Sequence, residues 1–330
     1  MSPDPQPIVK ESERLVTVAA PARLHLGFID LCGDLGRRYG GFGLAITGIA
    51  TRLSMQPALS AAARGPGGER ALDYARRLLR HLGLRRQVAI EVHEAIPAHV
   101  GLGSGTQMAL AVCAALRLMF DIDADVPTLA RVTERGARSG IGVGAFQNGG
   151  FIVDGGRGVA TQLPPVVCQM PFPDEWRVLL VFDPALAGLN GMAEARAFAE
   201  LAPMSPEHCG RISRLLLMQV LPAVAEQDFE RFCLAITAIQ DLLGDYFAAL
   251  QGGRYTSPAV AAALDGLRSH GVPGIGQSSW GPTGFAFLDS AQAAEQALNE
   301  LRTEANARLR YAVCAARNRG ADVLVQRRAA

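Results

Sequence analysis

The chain has 330 residues, of which 49% are hydrophobic and 19% charged, and its net charge is +1. This composition predicts a folded protein with a large core and two domains, and it excludes a disordered chain. The near-zero net charge also argues against a dedicated nucleic-acid surface.

The cysteines and the N-terminal residues indicate in which compartment of the cell the protein is found. The six cysteines are scattered and form no CxxC pair, which predicts reduced thiols. Residues 1–13 are polar and contain prolines, so we expect a flexible leader rather than a signal peptide. No apolar run approaches membrane-spanning length. We therefore expect a cytoplasmic protein that binds neither nucleic acid nor a membrane.

The first predicted strands, 15–20 and 21–30, carry polar side chains in an apolar context. Alternation in the second strand places Arg23 and His25 on one face, and Asp30 ends the segment. Such a face indicates a lined cleft, although a solvent-facing strand fits the same pattern. Residues 32–43 are dense in glycine and contain Arg37 and Arg38. They predict a second anion site, a lid or a plain hairpin connection.

The central glycine loop spans 97–107. It is preceded by a predicted strand with apolar residues at 88, 90 and 92, and followed by a predicted buried helix over 108–120. Glycines allow the backbone to approach a ligand, and free N–H groups at a helix start attract phosphate. An ordinary tight turn with Ser104 as the helix cap is the alternative. The candidate phosphate ligands are His99, Gly101, Gly103, Ser104, Gly105, Thr106 and Gln107.

Residues 126–137 predict a helix, and a second polar glycine-rich segment over 138–150 begins with Arg138 and Ser139. We predict a hairpin of strands 151–154 and 159–163 across the turn Gly155-Gly156. Four prolines within 164–173 predict the domain boundary, giving domains 1–165 and 166–330.

The second half predicts strands at 177–182, 285–288, 311–316 and near 323, with helices over 192–201, 206–225, 229–250, 258–270 and 291–305. We expect the last strand to close this domain. The loop 276–284 is polar and glycine-rich, so Gln277, Ser278, Ser279 and Trp280 are expected to face a ligand. Alternatively, Trp280 caps the core.

Three segments resemble the motifs of the GHMP kinase superfamily of small-molecule kinases: Pro21-Ala-Arg23, the loop 97–106 and the loop 276–284. The resemblance implies an α+β fold of two domains, each a mostly antiparallel sheet packed with helices, with the active site in the cleft between them. One departure concerns the chemistry. Gly142 stands where these kinases carry the aspartate that activates the acceptor hydroxyl, and glycine has no group that can take a proton.

Five segments (23–30, 36–43, 99–107, 149–154 and 276–283) are similar to the β-ribofuranosylaminobenzene 5′-phosphate synthase family. That resemblance implies phosphoribosyl transfer from phosphoribosyl diphosphate to the ring carbon of 4-aminobenzoate or 4-hydroxybenzoate. CO2 and diphosphate would leave, in an early step of tetrahydromethanopterin biosynthesis. It further implies Mg²⁺ with the diphosphate, no ATP, and a homodimer. An ATP-dependent small-molecule kinase and a non-catalytic ligand sensor stay open as alternatives.

Residue types suggest roles within that reaction. Arginine forms bidentate bonds to phosphate and carboxylate, which makes Arg23, Arg37, Arg38 and Arg138 the candidate anion ligands. His25 or His99 could take a proton from the para substituent or could bind phosphate. The carboxylates of Asp30 and Asp154 could bind a metal or orient an arginine. Trp280 could stack on the arene, and Gln277, Ser278 and Ser279 could bond ribose hydroxyls. We predict Arg23, His25 and Asp30 as catalytic; the sequence decides neither the metal ligands nor the acceptor.

Overall fold

A computed structural model describes residues 13–134, 139–188, 196 and 200–327. The first sheet consists of β1 (Arg14–Asp30), β2 (Tyr39–Pro57), β3 (Ala62–Arg64), β4 (Val88–Glu94), β5 (Phe151–Asp154), β6 (Val166–Met170) and β11 (Asp322–Arg327). The second consists of β7 (Arg177–Phe182), β8 (Gly274–Gln277), β9 (Thr283–Leu288) and β10 (Arg310–Ala315). The parallel pair β3–β4 is the exception among otherwise antiparallel pairings of the named strands.

The helices of the N-terminal half are α1 (Gly68–His81), α2 (Ser104–Met119), α3 (Val126–Val132) and α4 (Ile141–Gln147). Those of the C-terminal half are α5 (Pro206–Leu215), α6 (Leu221–Glu226), α7 (Phe229–Gln251), α8 (Pro258–Ser269) and α9 (Ala291–Leu301), with a π-helical turn (Leu216–Val220) between α5 and α6. Side-chain oxygens of Ser205, Asp228, Ser257 and Ser290 accept hydrogen bonds at the starts of α5, α7, α8 and α9. These N-caps explain why the four helices begin where they do.

The two sheets share one aromatic core. Phe232 of α7 lies with its ring centroid 6.5 Å from that of Phe151 in the first sheet and 4.9 Å from that of Phe287 in the second. Helix α7 is long and apolar enough to cross a membrane by those two criteria alone. Its buried residues, which include Phe232, Ile236 and Ile239, belong to this core, as expected for a core helix.

The predicted architecture of two antiparallel-rich sheets with helices is confirmed. The predicted hairpin of 151–154 with 159–163 is wrong, because β5 pairs with β2 and with β6. Strand β6 lies within the proline-rich segment 164–173, which was predicted to be a domain boundary. The predicted place of the last strand is also wrong, since β11 pairs with β1 of the first sheet. The division at 165/166 stays a prediction, although β6 and β11 both lie beyond it. The predicted leader, apart from Glu13, and most of the predicted helix 192–201 lie outside the described residues.

Candidate functional site

Three loops meet backbone to backbone between the two sheets. A Cβ added to Gly101 would lie 2.2 Å from the carbonyl oxygen of Ser278, and one added to Gly281 would lie 2.3 Å from that of Val100. Gly188 joins them, since its N–H donates to the carbonyl of His99 at 2.7 Å. Only glycine permits such approaches, which is why loops from three parts of the chain can close on one another here.

The central loop ends in the start of α2. Gly103 is the N-cap in a left-handed conformation (φ of 83°), and no side chain caps the helix. The alternative in which Ser104 is the cap is therefore wrong, because Ser104 is already the first helical residue. The first-turn N–H groups of Ser104, Gly105 and Thr106 carry the positive end of a 16-residue helix and can receive an anion.

Arg23 lies along this loop. Its Nη1 donates to the carbonyl of Gly101 at 2.6 Å, and its backbone N–H donates to the carbonyl of Leu102. A Cβ on Gly103 would be 3.3 Å from Arg23 Nε, so the guanidinium lies beside the helix start. A cation beside an open helix N-terminus is an arrangement that suits an anion, and the role of Arg23 and the glycine loop in binding one stays a prediction.

Ser278 joins the central loop to His25. Its hydroxyl donates to the carbonyl of Gly101 at 2.8 Å and accepts the backbone N–H of His25 at 3.1 Å. The carbonyl of His25 in turn accepts the N–H of Ser279. His25 is 4% exposed, and burial together with the charge of Arg23 lowers its pKa to about 3. The imidazole is therefore neutral at physiological pH.

Trp280 and Gln277 are both buried, and both lie beside His25. The Trp280 ring packs on Phe247 of α7 with centroids 4.8 Å apart, as in the predicted alternative in which it caps the core. Gln277 accepts the N–H of Thr256 through Oε1 and donates to Ser279 through Nε2, so its amide organises the loop.

Two residues of α7 that line this region, Gln240 and Phe247, were not predicted from the sequence. Gln240 bridges the sheets: its Nε2 donates to the carbonyl of Leu26 at 2.5 Å, and its Oε1 accepts the N–H of Gln277 at 2.8 Å. A Cβ on Gly276 would lie 2.5 Å from Gln240 Oε1, so Gly276 makes room for the bridge. The feature of the sequence that could have identified Gln240 is that it is a glutamine within a largely apolar helix.

Gly142 packs against the first turn of α2. Its carbonyl accepts Gln107 Nε2 at 2.8 Å, and a Cβ on it would lie 2.8 Å from Thr106 Cγ2. A carboxylate at this position would therefore require the side chain of Thr106 to move. Gln107, predicted as a substrate ligand, is buried and holds α4 instead of facing solvent.

Other candidates have local roles. Asp30 Oδ1 accepts the N–H groups of Cys32 and Gly33, and it lies seven residues beyond Arg23, about 20 Å along an extended strand. Arg37 donates from Nε and Nη2 to two carbonyls of the turn at 155–156, in a segment that is a hairpin connection. The structure thus does not bring Asp30 together with Arg23.

Asp154 and Ser139 bind each other. The buried Asp154 carboxylate accepts the hydroxyl of Ser139 at 2.8 Å and the N–H groups of Gly140 and Gly156. Burial raises the pKa of Asp154 against these hydrogen bonds, which lower it. This arrangement fixes the start of α4. His99 is exposed and has a positive φ of 60°, and the predicted ligand Arg138 lies outside the described residues.

Comparisons with known proteins identify the fold. The models of the GHMP kinases N terminal domain and the GHMP kinases C terminal match residues 69–151 and 220–307. The fold is also that of mevalonate diphosphate decarboxylase from Staphylococcus aureus, with a TM-score of 0.67 at 14% identity over 94% of this chain and 98% of that one. The fold and the glycine-loop site thus define a protein of the GHMP kinase type.

Relatives place the chain within that class. A β-ribofuranosylphenol 5′-phosphate synthase from Methanothermobacter thermautotrophicus is 32% identical over 82% of this chain and 88% of its own. The Archaeoglobus fulgidus protein of the same name is 33% identical over 94% of this chain and 100% of its own. The chain belongs to the β-ribofuranosylphenol 5′-phosphate synthase family.

Proposed function

We propose that the protein transfers the phosphoribosyl group of phosphoribosyl diphosphate to the ring carbon of 4-hydroxybenzoate or 4-aminobenzoate, releasing CO2 and diphosphate. The observation that carries the proposal is the near-full-length similarity to archaeal proteins named for a ribofuranosylphenol 5′-phosphate product. That product is a ribose 5′-phosphate joined to a phenol ring. Such a compound suits an early intermediate of tetrahydromethanopterin biosynthesis. The phenol in the name of these archaeal relatives favours 4-hydroxybenzoate as the first acceptor to test.

The site supports the chemistry of a leaving diphosphate. Arg23 and the first-turn N–H groups of α2 provide positive charge where a phosphate group would lie. Bond breaking at C1 of the ribose gives an electron-poor carbon, which the ring carbon bearing the carboxylate attacks. Loss of CO2 then restores the aromatic ring. No covalent enzyme intermediate is required.

Mg²⁺ is part of this proposal. Across the described ranges, no group of three His, Cys, Asp or Glu side chains could hold a metal ion. The residues therefore do not fit a metal cage built from the protein, and the ion would enter on the oxygens of the diphosphate. Asp154, one of the two carboxylates considered as ligands, is occupied by Ser139 and backbone N–H groups.

The decisive assay incubates the protein with phosphoribosyl diphosphate, Mg²⁺ and carboxyl-labelled 4-hydroxybenzoate or 4-aminobenzoate, without ATP. Labelled CO2 that depends on phosphoribosyl diphosphate supports the transferase, and the faster acid identifies the acceptor. No release from either acid, in a preparation stabilised thermally by phosphoribosyl diphosphate, would instead favour a ligand sensor. ATP turnover with an alcohol would favour a kinase.

We also propose a homodimer formed through β11. This strand pairs on one side with β1, and its side chains are exposed, including Val323, Leu324 and Val325. An antiparallel two-fold pairing with a second copy would set Asp322 opposite Arg327 and Leu324 opposite Val325, so opposite charges and apolar side chains would face each other across the new pair. Light scattering should give a dimer for the wild type and a monomer for Leu324→Glu; a monomeric wild type would contradict the proposal.

A cytoplasmic location completes the proposal. All six cysteines are free thiols in the structure, and four of them are buried. Free thiols suit a reducing compartment. Fractionation of the native cells, with detection of the untagged protein, tests the location.

A further inference from the structure

A small cavity lies beside His25, between β1, α7 and the loop that follows β8. It offers about 30 Å³, whereas a cavity needs about 10–15 Å³ to hold one water, so a single polar group fits. Its walls include three aromatic rings, Phe28, Phe247 and Trp280, and the amides of Gln240 and Gln277. Flat apolar walls with a few polar groups are typical of a site for one end of an aromatic ligand.

His25 is the unusual member of this cavity. Its Nδ1 is buried and has no hydrogen-bond partner among the residues that the structure describes. A Cβ on Gly41 would lie 3.2 Å from Nε2, so that nitrogen faces β2. The Phe28 ring lies 4.7 Å from the imidazole, centroid to centroid. A buried nitrogen without a partner is costly, so a ligand atom that pairs with it gains that free energy on binding.

The cavity adjoins the anion site. Arg23, two residues before His25, acts on the imidazole electrostatically, and the Ser278 hydroxyl connects His25 to Gly101 of the central loop. The cavity and the anion site are therefore neighbours, and a benzoate bound with one end at His25 would have its other end on the side of the diphosphate site. In a para-substituted benzoate these two ends are the hydroxyl or amino group and the ring carbon that bears the carboxylate.

We propose that the cavity receives the para substituent of the acceptor and that Nδ1 of His25 takes its proton during the reaction, an inference that rests on the proposed function. As diphosphate leaves with the electron pair of the C1–O bond, the ring carbon forms the new C–C bond. The para hydroxyl gives its proton to Nδ1, and the ring becomes a dienone. The bond to the carboxylate then breaks, its electron pair restores the aromatic ring, CO2 leaves, and the phenolate recovers the proton from His25.

Burial of the imidazole suits this role. The low pKa keeps the imidazole neutral, and in the tautomer with its proton on Nε2 the Nδ1 atom can accept a hydrogen bond. A weak base suffices, because the para hydroxyl becomes strongly acidic only as the ring gives up electrons to C1. Proton transfer therefore occurs when it is needed and does not proceed in the ground state.

The test compares acceptors of different phenol acidity in wild type, His25→Gln and, as a matched control at an exposed histidine, His208→Gln. We expect His25→Gln to lower kcat/KM for 4-hydroxybenzoate about 100-fold, the lower end of general-base effects. With 3,5-difluoro-4-hydroxybenzoate, assayed at a pH at which its phenol is ionised, the loss should shrink to a few-fold, since no proton remains to be taken. His208→Gln should match the wild type with both acceptors.

Equal losses with the two acceptors would overturn the inference, because they would show that His25 only shapes the site. A wild type inactive with every acceptor would instead contradict the proposed function. If His25→Gln does not fold, a crystal structure of the wild type with 4-hydroxybenzoate decides: we expect the para oxygen within hydrogen-bond distance of Nδ1. A para oxygen elsewhere, with only a water in the cavity, would overturn the inference.

Discussion

His25 should make the protein less stable in acid, an effect measurable without any substrate. Its pKa is lowered from 6.5 to about 3, first by burial and then by the charge of Arg23. Between these values the unfolded chain binds a proton at His25 and the folded chain does not. The free energy of unfolding therefore falls as the pH falls below 6.5, and the contribution of His25 is fully present above that pH.

The size of the effect follows from the shift. Each pH unit below the unfolded pKa changes the free energy of unfolding by about 1.4 kcal/mol, so the loss between pH 7 and pH 5 is about 2 kcal/mol. Urea unfolding of wild type, His25→Gln and His208→Gln at pH 7, 6 and 5 measures it. Asp154, whose pKa is raised, is present in all three proteins and cancels in the comparison.

We expect the stability of His25→Gln to fall about 2 kcal/mol less than that of the wild type over this range, while His208→Gln runs parallel to the wild type. Parallel curves for wild type and His25→Gln would refute the reasoning, because they would mean that the folded protein accepts a proton at His25 as easily as the unfolded chain. The imidazole would then not be buried and neutral.

Three further predictions concern the anion site and its support. Gly36→Ala should lower the free energy of unfolding by about 1–2 kcal/mol, because Gly36 has a positive φ and an added Cβ would meet no atom within 4 Å. Gly101→Ala should lower it clearly more, because its Cβ would lie 2.2 Å from a carbonyl oxygen. Urea unfolding of the two variants measures the difference. Asp154→Asn should lower the free energy of unfolding by about 1–3 kcal/mol, since its amide nitrogen would face groups that donate hydrogen bonds to Asp154. The control Asp265→Asn, on the surface, should leave the free energy of unfolding unchanged, and equal losses in the two variants would contradict the prediction. Arg23→Gln should weaken phosphoribosyl diphosphate binding in calorimetry about tenfold or more, and unchanged affinity would remove Arg23 from the site.

Local patterns predicted much of this fold correctly. The alternation at 88, 90 and 92 lies in β4, and the helix predicted over 258–270 matches α8. Pairings between distant segments could not be predicted in this way. β11 is a short exposed strand whose partner, β1, lies some 300 residues earlier, and no local pattern in either strand identifies the other.

Some residues of the candidate site could likewise be predicted from local motifs, and others could not. Arg23 and the central loop were each predicted to bind an anion, and the structure shows that they touch. Asp154 was predicted to bind a metal or orient an arginine, yet its oxygens accept the N–H of Gly140 at the start of α4 and the N–H of Gly156 in the turn at 155–156. Gln240 and Phe247 reach the site only because α7 packs across both sheets. Such contributions depend on tertiary packing, which spacing along the chain does not encode.

The position of Gly142 shows how a kinase-type scaffold can serve a different reaction. Phosphoryl transfer to an alcohol benefits from a base near the hydroxyl, but here the first turn of α2 occupies the space that a side chain at 142 would need. Replacing glycine with aspartate would thus not restore a base without displacing Thr106. The region instead combines an open helix start beside Arg23 with a neutral imidazole in an aromatic cavity. An aromatic ring carbon attacking C1 needs no base at the carbon itself, only charge stabilisation for the leaving diphosphate and a temporary place for one proton at the far end of the ring.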